Sequence, residues 1–131
     1  MSPAGPNGPL GLQLQIAGRH GQRTVDALTE MVRITGIGAH LVARGRSWYV
    51  GDEDNAPGLA FESLVIKLGE NVTRVGLEYQ AAHPEVPWRV IKGMRNRLTH
   101  YYEGTDYDVL WATVEIDFPQ VNGSVRRLLG G

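Results

Sequence analysis

The 131-residue sequence contains no cysteine and carries almost no net charge. The lack of cysteine excludes disulfides, thiolate nucleophiles and cysteine-ligated zinc or iron–sulfur centres. Thirteen basic residues against fourteen acidic ones leave a formal charge of −1. A protein that coats nucleic acid needs a strongly basic surface, so this balance argues against that class.

Long hydrophobic runs are missing as well. No segment approaches the roughly 18 consecutive apolar residues of a membrane-spanning helix, and the N-terminus lacks the apolar region of a signal peptide. We therefore expect a cytoplasmic protein with no membrane contact. The length predicts one domain with its own hydrophobic core.

The beginning of the chain is rich in glycine and proline. Five of the 17 glycines fall within the first 21 residues, where Pro3, Pro6 and Pro9 also lie, and the hydrophobic residues there follow no helical period. Such a composition is typical of segments that bury too little apolar surface to fold. We expect residues 1–22 to form a flexible, disordered tail and residues 23–131 to form a single helical domain.

The sequence after this tail has the hydrophobic period of α-helices. An early periodic segment, residues 23–43, contains Gly36 and Gly38, and we expect a bend or break there because glycine disfavours helix. Residues 45–57 have the composition of a polar loop. The clearest apolar stripe follows at steps of three and four residues and comprises Phe61, Leu64, Val65, Leu68, Val72 and Val75.

Three further helices are predicted in the second half of the chain, the last of them short. Pro87, a residue favoured in the first turn, opens a helix that Gly104 ends. Thr105, with Asp108 three residues later, resembles a capping box that begins the next helix, and a short, loose helix follows it. Strand-like alternation is absent over any useful length. The pattern predicts an all-α fold, a four-to-five-helix up-and-down bundle.

The helix that begins at Pro87 carries the residues with catalytic potential. At about 100° per residue, Asn96 and His100 lie one turn apart on one flank, where their side chains can touch. Arg95 lies at the edge of the same polar sector. The stripe expected to face the core comprises Val90, Ile91, Met94, Leu98, Tyr101 and Tyr102.

Arg95 and His100 suit the cleavage of a phosphodiester without a metal ion. Histidine moves protons near neutral pH, the arginine fork fits phosphate oxygens, and RNA supplies its own nucleophile in the 2′-hydroxyl. We expect Asn96 to fix the orientation of the imidazole. One such pair per chain is sparse for acid–base catalysis, which suggests that two copies combine. By spacing alone, however, an arginine and a histidine on a helix flank are ordinary surface residues.

The other histidines indicate no metal site. His20, His40 and His83 form neither the HxxxH nor the HExxH pattern that helical zinc sites use. We expect Glu70, in the clearest apolar helix, to be solvated and to stand outside the site. The sequence therefore predicts no metal and no cofactor.

The run PWRVIKGMRNRLTHYYEGTDYDVLWATVEIDFPQV resembles the HepT-like branch of the HEPN superfamily of bacterial and archaeal toxins. Its centre is an R-x4-H-x-Y motif, met by Arg95, His100 and Tyr102, with Asn96 as the polar residue after the arginine. The upstream run LVIKLGENV is similar to the second helix of that family. Together the resemblance covers about residues 59–129.

The resemblance implies a helical homodimer in which the two motifs face each other across a cleft. It implies a metal-independent RNase with Arg95 and His100 as the catalytic pair, acting as the toxin of a type VII-like toxin–antitoxin system. The antitoxin partner would be an MntA-like nucleotidyltransferase that silences the toxin by transferring AMP to Tyr102. A phosphate group placed there would occupy the anion site and repel RNA.

Two other functions stay open. The chain can be a non-catalytic HEPN module or adaptor that binds nucleotides or RNA without turnover. It can also be chiefly a substrate for modification. Retained RNA affinity without cleavage would favour the first of these, and AMP-sized additions on Tyr102 would favour the second.

The near-zero net charge hides a segregation along the chain. Residues 84–102 carry four basic residues against Glu85 alone, a net +3, whereas residues 103–118 carry five acidic residues and no basic one, a net −5. Two copies of the basic helix that face each other would add their positive fields in one cleft. The composition is therefore compatible with a short piece of RNA held at one site.

Overall fold

The computed structural model describes residues 8–100 and 104–131. Within these ranges every regular element is a helix, which confirms the predicted all-α class. Five helices have 11 or more residues, and three are short, with six residues each. In chain order the elements are α1 (Pro9–His20), α2 (Gln22–Val42), α3 (Arg46–Gly51), α4 (Ala56–Arg74), α5 (Leu77–Ala82), α6 (Trp88–His100), α7 (Tyr107–Ala112), a π-helical segment (Thr113–Asp117) and α8 (Phe118–Leu128).

Helix α1 lies inside the segment that the composition assigned to a flexible tail, so that prediction is wrong for residues 9–20. Pro9 occupies the first turn, where a missing N–H costs nothing, and Gly21 at φ +87° makes the sharp connection to α2. The helix packs on α2 and buries Ile16. Its stability comes from this tertiary contact, which composition alone does not reveal.

Helix α2 is continuous through Gly36 and Gly38, so the expected break is wrong. A Cβ atom at Gly38 would lie 2.6 Å from the ring of Phe118 and 2.8 Å from Val114. Glycine is therefore needed for the close approach of the C-terminal helices, not for a bend. Asn122 reinforces this contact by donating from Nδ2 to the hydroxyl of Thr35 at 3.0 Å.

Two other local expectations are corrected by the structure. The predicted polar loop at residues 45–57 contains α3, because Tyr49 buries its ring against Phe61 of α4. Asp106 caps α7 in place of Thr105: its carboxylate accepts hydrogen bonds from the backbone N–H groups of Asp108 and Val109 at 3.0 and 3.1 Å.

The core is centred on α4, whose predicted apolar stripe is buried along its whole length. At one end, the ring of Phe61 lies 4.7 Å from that of Tyr49 and stacks on that of Trp111 at 5.8 Å, which joins α3, α4 and α7. At the other end, Trp88 is buried at the start of α6, and its indole N–H donates to the carbonyl of His83 at 2.9 Å. Helix α6 packs on α4.

In the two described ranges, no helix is long and apolar enough to cross a membrane.

Candidate active site

The helix that carries the motif, α6, meets α4 at Gly69. A Cβ atom at Gly69 would lie 2.2 Å from Cβ and 2.7 Å from Cγ of Arg95, and 3.4 Å from the carbonyl oxygen of Ile91. Carbon atoms in ordinary contact are about 3.5–4.0 Å apart, so only glycine permits this approach. Gly69 therefore determines how closely the stem of Arg95 lies on α4.

The sequence did not identify Gly69 as a positioning residue. Its signal was a glycine inside the apolar stripe of α4, directly after Leu68, where helix propensity alone opposes it. An unfavourable residue on the buried face of a helix indicates a close contact, but its partner becomes visible only in the structure.

The aliphatic part of the Arg95 side chain is packed against α4, whereas the outer edge of its guanidinium group is accessible. Its Nε atom is buried and has no hydrogen-bond partner within the described ranges, while Nη1 donates to the side-chain oxygen of Asn96 at 3.1 Å. The first carbons of the stem are packed on Gly69, which limits the directions in which the side chain can extend. Its outer edge can meet an anion that lies along the flank of α6.

Asn96 and His100 are exposed on the flank that the sequence predicted. The side chain of Asn96 bonds to Arg95, and no hydrogen bond joins it to His100 in the part of the chain that the structure describes. The expected role of Asn96 in orienting the imidazole stays a prediction. Thr99 lies on the same flank, and its hydroxyl donates to the carbonyl of Arg95 at 3.1 Å.

The core-facing stripe of α6 is narrower than expected. Ile91 is buried and Met94 and Leu98 are half-buried, but Val90 is 62% exposed, so its assignment to the core is wrong. The reason is that α6 packs chiefly on α4, and one neighbouring helix covers only a narrow strip of its surface. Tyr101 and Tyr102, and with them the predicted modification site, lie outside the described residues.

The exposed surface of α6 is cationic. Arg89, Lys92 and Arg97 are exposed, and none of them forms an ion pair with the acidic residues that the structure describes. Glu70, on the neighbouring helix, is exposed as expected and makes no ion pair with them. Arg89 and Lys92 line the same surface cavity as Asn96, whereas Arg97 lines a different one.

The remaining histidines are placed elsewhere. His83 lies 3.7 Å from a carboxylate oxygen of Glu85, and its ring is 4.3 Å from that of Tyr79 at a tilt of 36°. The rings of His20 and Tyr79 pack edge to face at 5.0 Å. Among the described residues, no group of three or more histidine, aspartate and glutamate side chains is arranged to hold a metal ion.

The chain beyond the motif is anchored to α4. Glu62 accepts hydrogen bonds from the hydroxyl of Thr105 at 3.2 Å and from the phenol of Tyr107 at 2.6 Å. The second bond raises the pKa of Tyr107, because deprotonation would place two negative oxygens side by side. Gly69 faces Arg95, whereas Glu62, two turns earlier in α4, faces Thr105; α4 and α6 therefore run antiparallel.

Comparison with known proteins places this geometry in context. The family profile described as ribonuclease HepT-like matches residues 50–128. The chain is 39% identical over 61 residues to the probable ribonuclease HepT of Thermococcus cleftensis, covering 47% of this chain and 56% of that protein. It is 36% identical over 70 residues to a candidate RNase of Caldanaerobacter subterraneus subsp. tengcongensis, covering 53% of this chain and 62% of that protein. The match thus spans little more than half the length of these relatives. No solved structure matches the chain significantly.

Proposed function

Because this chain belongs to the ribonuclease HepT-like family, we propose that it is a metal-independent endoribonuclease with Arg95 and His100 as its catalytic pair. The observation that carries the proposal is the anchoring of Arg95. Its stem is clamped on Gly69, and its guanidinium edge opens on the flank where His100 is exposed. A phosphate along that flank meets a fixed cation and a group that titrates near neutral pH.

The chemistry needs an acid and a base but no metal. One imidazole accepts the proton of the RNA 2′-hydroxyl, the 2′-oxygen bonds to phosphorus, and the bond from phosphorus to the 5′-oxygen breaks. The leaving oxygen takes a proton from a second, protonated imidazole. The products are a 2′,3′-cyclic phosphate and a 5′-hydroxyl end. Arg95 stabilises the charge that develops on the phosphate oxygens.

Two imidazoles require two chains, because His100 is the only histidine on this flank of α6. We therefore include a homodimer in the proposal, with the two α6 helices facing each other across the bound strand. The cations of both helices then surround one polyanion, which offsets their mutual repulsion.

The proposal extends to a toxin–antitoxin role, supported by the motif that ends at Tyr102. An MntA-like nucleotidyltransferase would act as the antitoxin by transferring AMP to this tyrosine, two residues beyond His100. The added phosphate would compete with RNA for Arg95. Intact mass measured after co-expression with such a partner tests this part: the addition of AMP is expected on wild-type protein and not on a Tyr102→Phe variant.

A binding module without turnover is the second candidate. It is favoured by one observation: within a single chain, His100 is exposed and is hydrogen-bonded to neither Arg95 nor Asn96 in the described ranges. A single chain therefore positions the guanidinium of Arg95, which would bind the anion, but not the imidazole of His100, which would transfer the proton.

The decisive experiment is RNA cleavage in excess EDTA by purified wild-type protein and by His100→Ala. The matched control is His40→Ala, which removes an exposed histidine from α2. We expect cleavage by the wild type and the control, with cyclic phosphate ends, and none by His100→Ala. Cleavage by His100→Ala at the wild-type rate would refute the catalytic assignment. RNA binding by all three proteins without cleavage would favour the binding module.

A further inference from the structure

A groove of about 710 Å³ lies between α5 and the exposed side of α6. Its floor is mainly apolar and includes Leu77 and Val90, and Arg89 and Lys92 line it from α6. Asn96 also lines it. Since Asn96 bonds to Arg95, the groove opens directly onto the flank of the catalytic pair.

Two apolar side chains of this groove, Leu77 and Val90, are not packed by the fold. Leu77 is 81% exposed and Val90 is 62% exposed, although buried positions for aliphatic residues are plentiful in the adjacent core. Both aliphatic side chains are solvent-exposed beside the same groove, which indicates a surface that contacts another molecule.

The charges of the groove select an anionic occupant. None of its lining residues in the described part of the chain is acidic, and Arg89 and Lys92 form no ion pair there. At 1.5 Å per residue, Arg89 lies about 10 Å from Asn96 along the helix axis and about 16 Å from His100. With roughly 3.4 Å per stacked nucleotide, the longer distance corresponds to about five nucleotides.

Gly93 also lines this groove, and no contact with residues 8–100 or 104–131 explains a glycine at this position. A Cβ atom at Gly93 would meet nothing within 4 Å, in contrast to Gly69, where it would collide with Arg95. A glycine inside a helix destabilises it, yet none of the described residues fills the space that Gly93 leaves open. The missing side chain exposes a strip of helix backbone that a bound strand can approach closely.

We propose that the α5–α6 groove binds the single-stranded RNA that flanks the scissile phosphodiester. Arg89 and Lys92 contact its phosphates, the faces of its bases pack on Leu77 and Val90, and Gly93 leaves room for the strand between them. The inference rests on the proposed function, since it names the subsite that leads the RNA strand to Arg95 and His100.

Binding is measured in the His100→Ala background, where no cleavage is expected, by fluorescence anisotropy of a labelled single-stranded RNA at several salt concentrations. The double variant Arg89→Ala/Lys92→Ala should bind at least about tenfold more weakly at 0.1 M salt. Its salt dependence should fall by about 0.7 in the slope of log K against log salt for each lost phosphate contact. The matched control is Arg126→Ala/Arg127→Ala on α8, which packs on α2 and should bind like its parent.

A third variant separates binding from stability. Gly93→Gln should raise the midpoint of thermal unfolding, because the helix gains a better helix former in open space, and should still weaken RNA binding. Equal losses in the groove variant and the α8 control would overturn the proposal, as would unaltered binding by Gly93→Gln. A Leu77→Ser variant that changes the mass of the assembly in light scattering, but not RNA affinity, would assign the groove to a protein partner and overturn it as well.

Failure of this inference and failure of the proposed function give different results. If the wild type cleaves RNA and the groove variants cleave it with unchanged KM, the groove is not the subsite and the catalytic proposal survives. If the groove variants lose affinity while wild-type protein never cleaves, the RNA site stands and the catalytic proposal fails. If the RNA subsite and the catalytic proposal are both correct, the groove variants have a higher KM than the wild type and nearly the same kcat.

Discussion

Replacing Gly69 by alanine tests whether the approach of α4 and α6 sets the position of Arg95. The new methyl carbon would start 2.2 Å from Cβ of Arg95, so the helices must separate locally by about 1.5 Å to restore ordinary contact. Forcing extra atoms into a packed contact costs about 1–3 kcal/mol, and the better helix propensity of alanine returns about 0.8–1 kcal/mol. We expect a net loss of about 0–2 kcal/mol in the free energy of unfolding.

The effect on activity should exceed the effect on stability. The separation displaces the stem of Arg95, the proposed catalytic arginine, and a misplacement of about 1 Å can cost on the order of 100-fold in rate. Urea denaturation gives the stability, and single-turnover RNA cleavage at a temperature where the variant is folded gives the rate.

The control is Gly36→Ala in α2, also in a helix interior, where a Cβ atom would meet nothing within 4 Å. It should raise stability by about 0.5–1 kcal/mol and leave cleavage unchanged. A Gly69→Ala protein that is as stable and as active as the Gly36→Ala protein would refute the argument that α4 positions Arg95.

Three further results are expected. Gly38→Ala should cost about 1–3 kcal/mol in urea denaturation, since the methyl group would press on the phenyl ring of α8; stability equal to wild type would contradict this. Tyr107→Phe removes the bond to Glu62 and should lower the free energy of unfolding by about 1 kcal/mol without abolishing cleavage. Burial raises the pKa of Tyr49 and Tyr79 to about 12. The two neutral phenol groups therefore contribute fully to the free energy of unfolding below pH 10, and this contribution is lost as the pH rises towards 12. Urea denaturation measured at a series of alkaline pH values would detect the loss.

The elements that the sequence predicted best are those covered on several sides. Helix α4 is packed by α2, α6, α3 and α7, so its buried stripe is wide and regular, and every residue of the predicted stripe is in the core. Helix α6 has chiefly one neighbour, and for that reason its periodicity overestimated the core and placed Val90 inside it.

Glycine is where prediction from sequence was weakest, because one residue type serves opposite purposes. Gly36 and Gly38 are two positions apart in α2 and identical in propensity, yet only Gly38 lies where another helix approaches. The same holds for Gly69 and Gly93 on the two helices of the site. Helix propensity is a property of the residue itself, whereas a close approach depends on which other helix packs there, and the sequence pattern does not reveal that helix.

In the candidate site, too, the sequence predicts which residues share a helix flank but not which contacts anchor them. Arg95, Asn96 and His100 were predicted to share a flank of one helix, because helical spacing alone determines that arrangement. The anchoring of Arg95 depends on Gly69, which lies 26 positions earlier in the sequence and on another helix. His100 has no such anchor within the described ranges: it is exposed, and Asn96 is bonded to the arginine. The proposed acid–base reaction needs an oriented imidazole, so we expect the contact that orients His100 to come from outside the described part of a single chain. A facing copy of α6, with RNA between the two helices, supplies that contact in the proposed dimer.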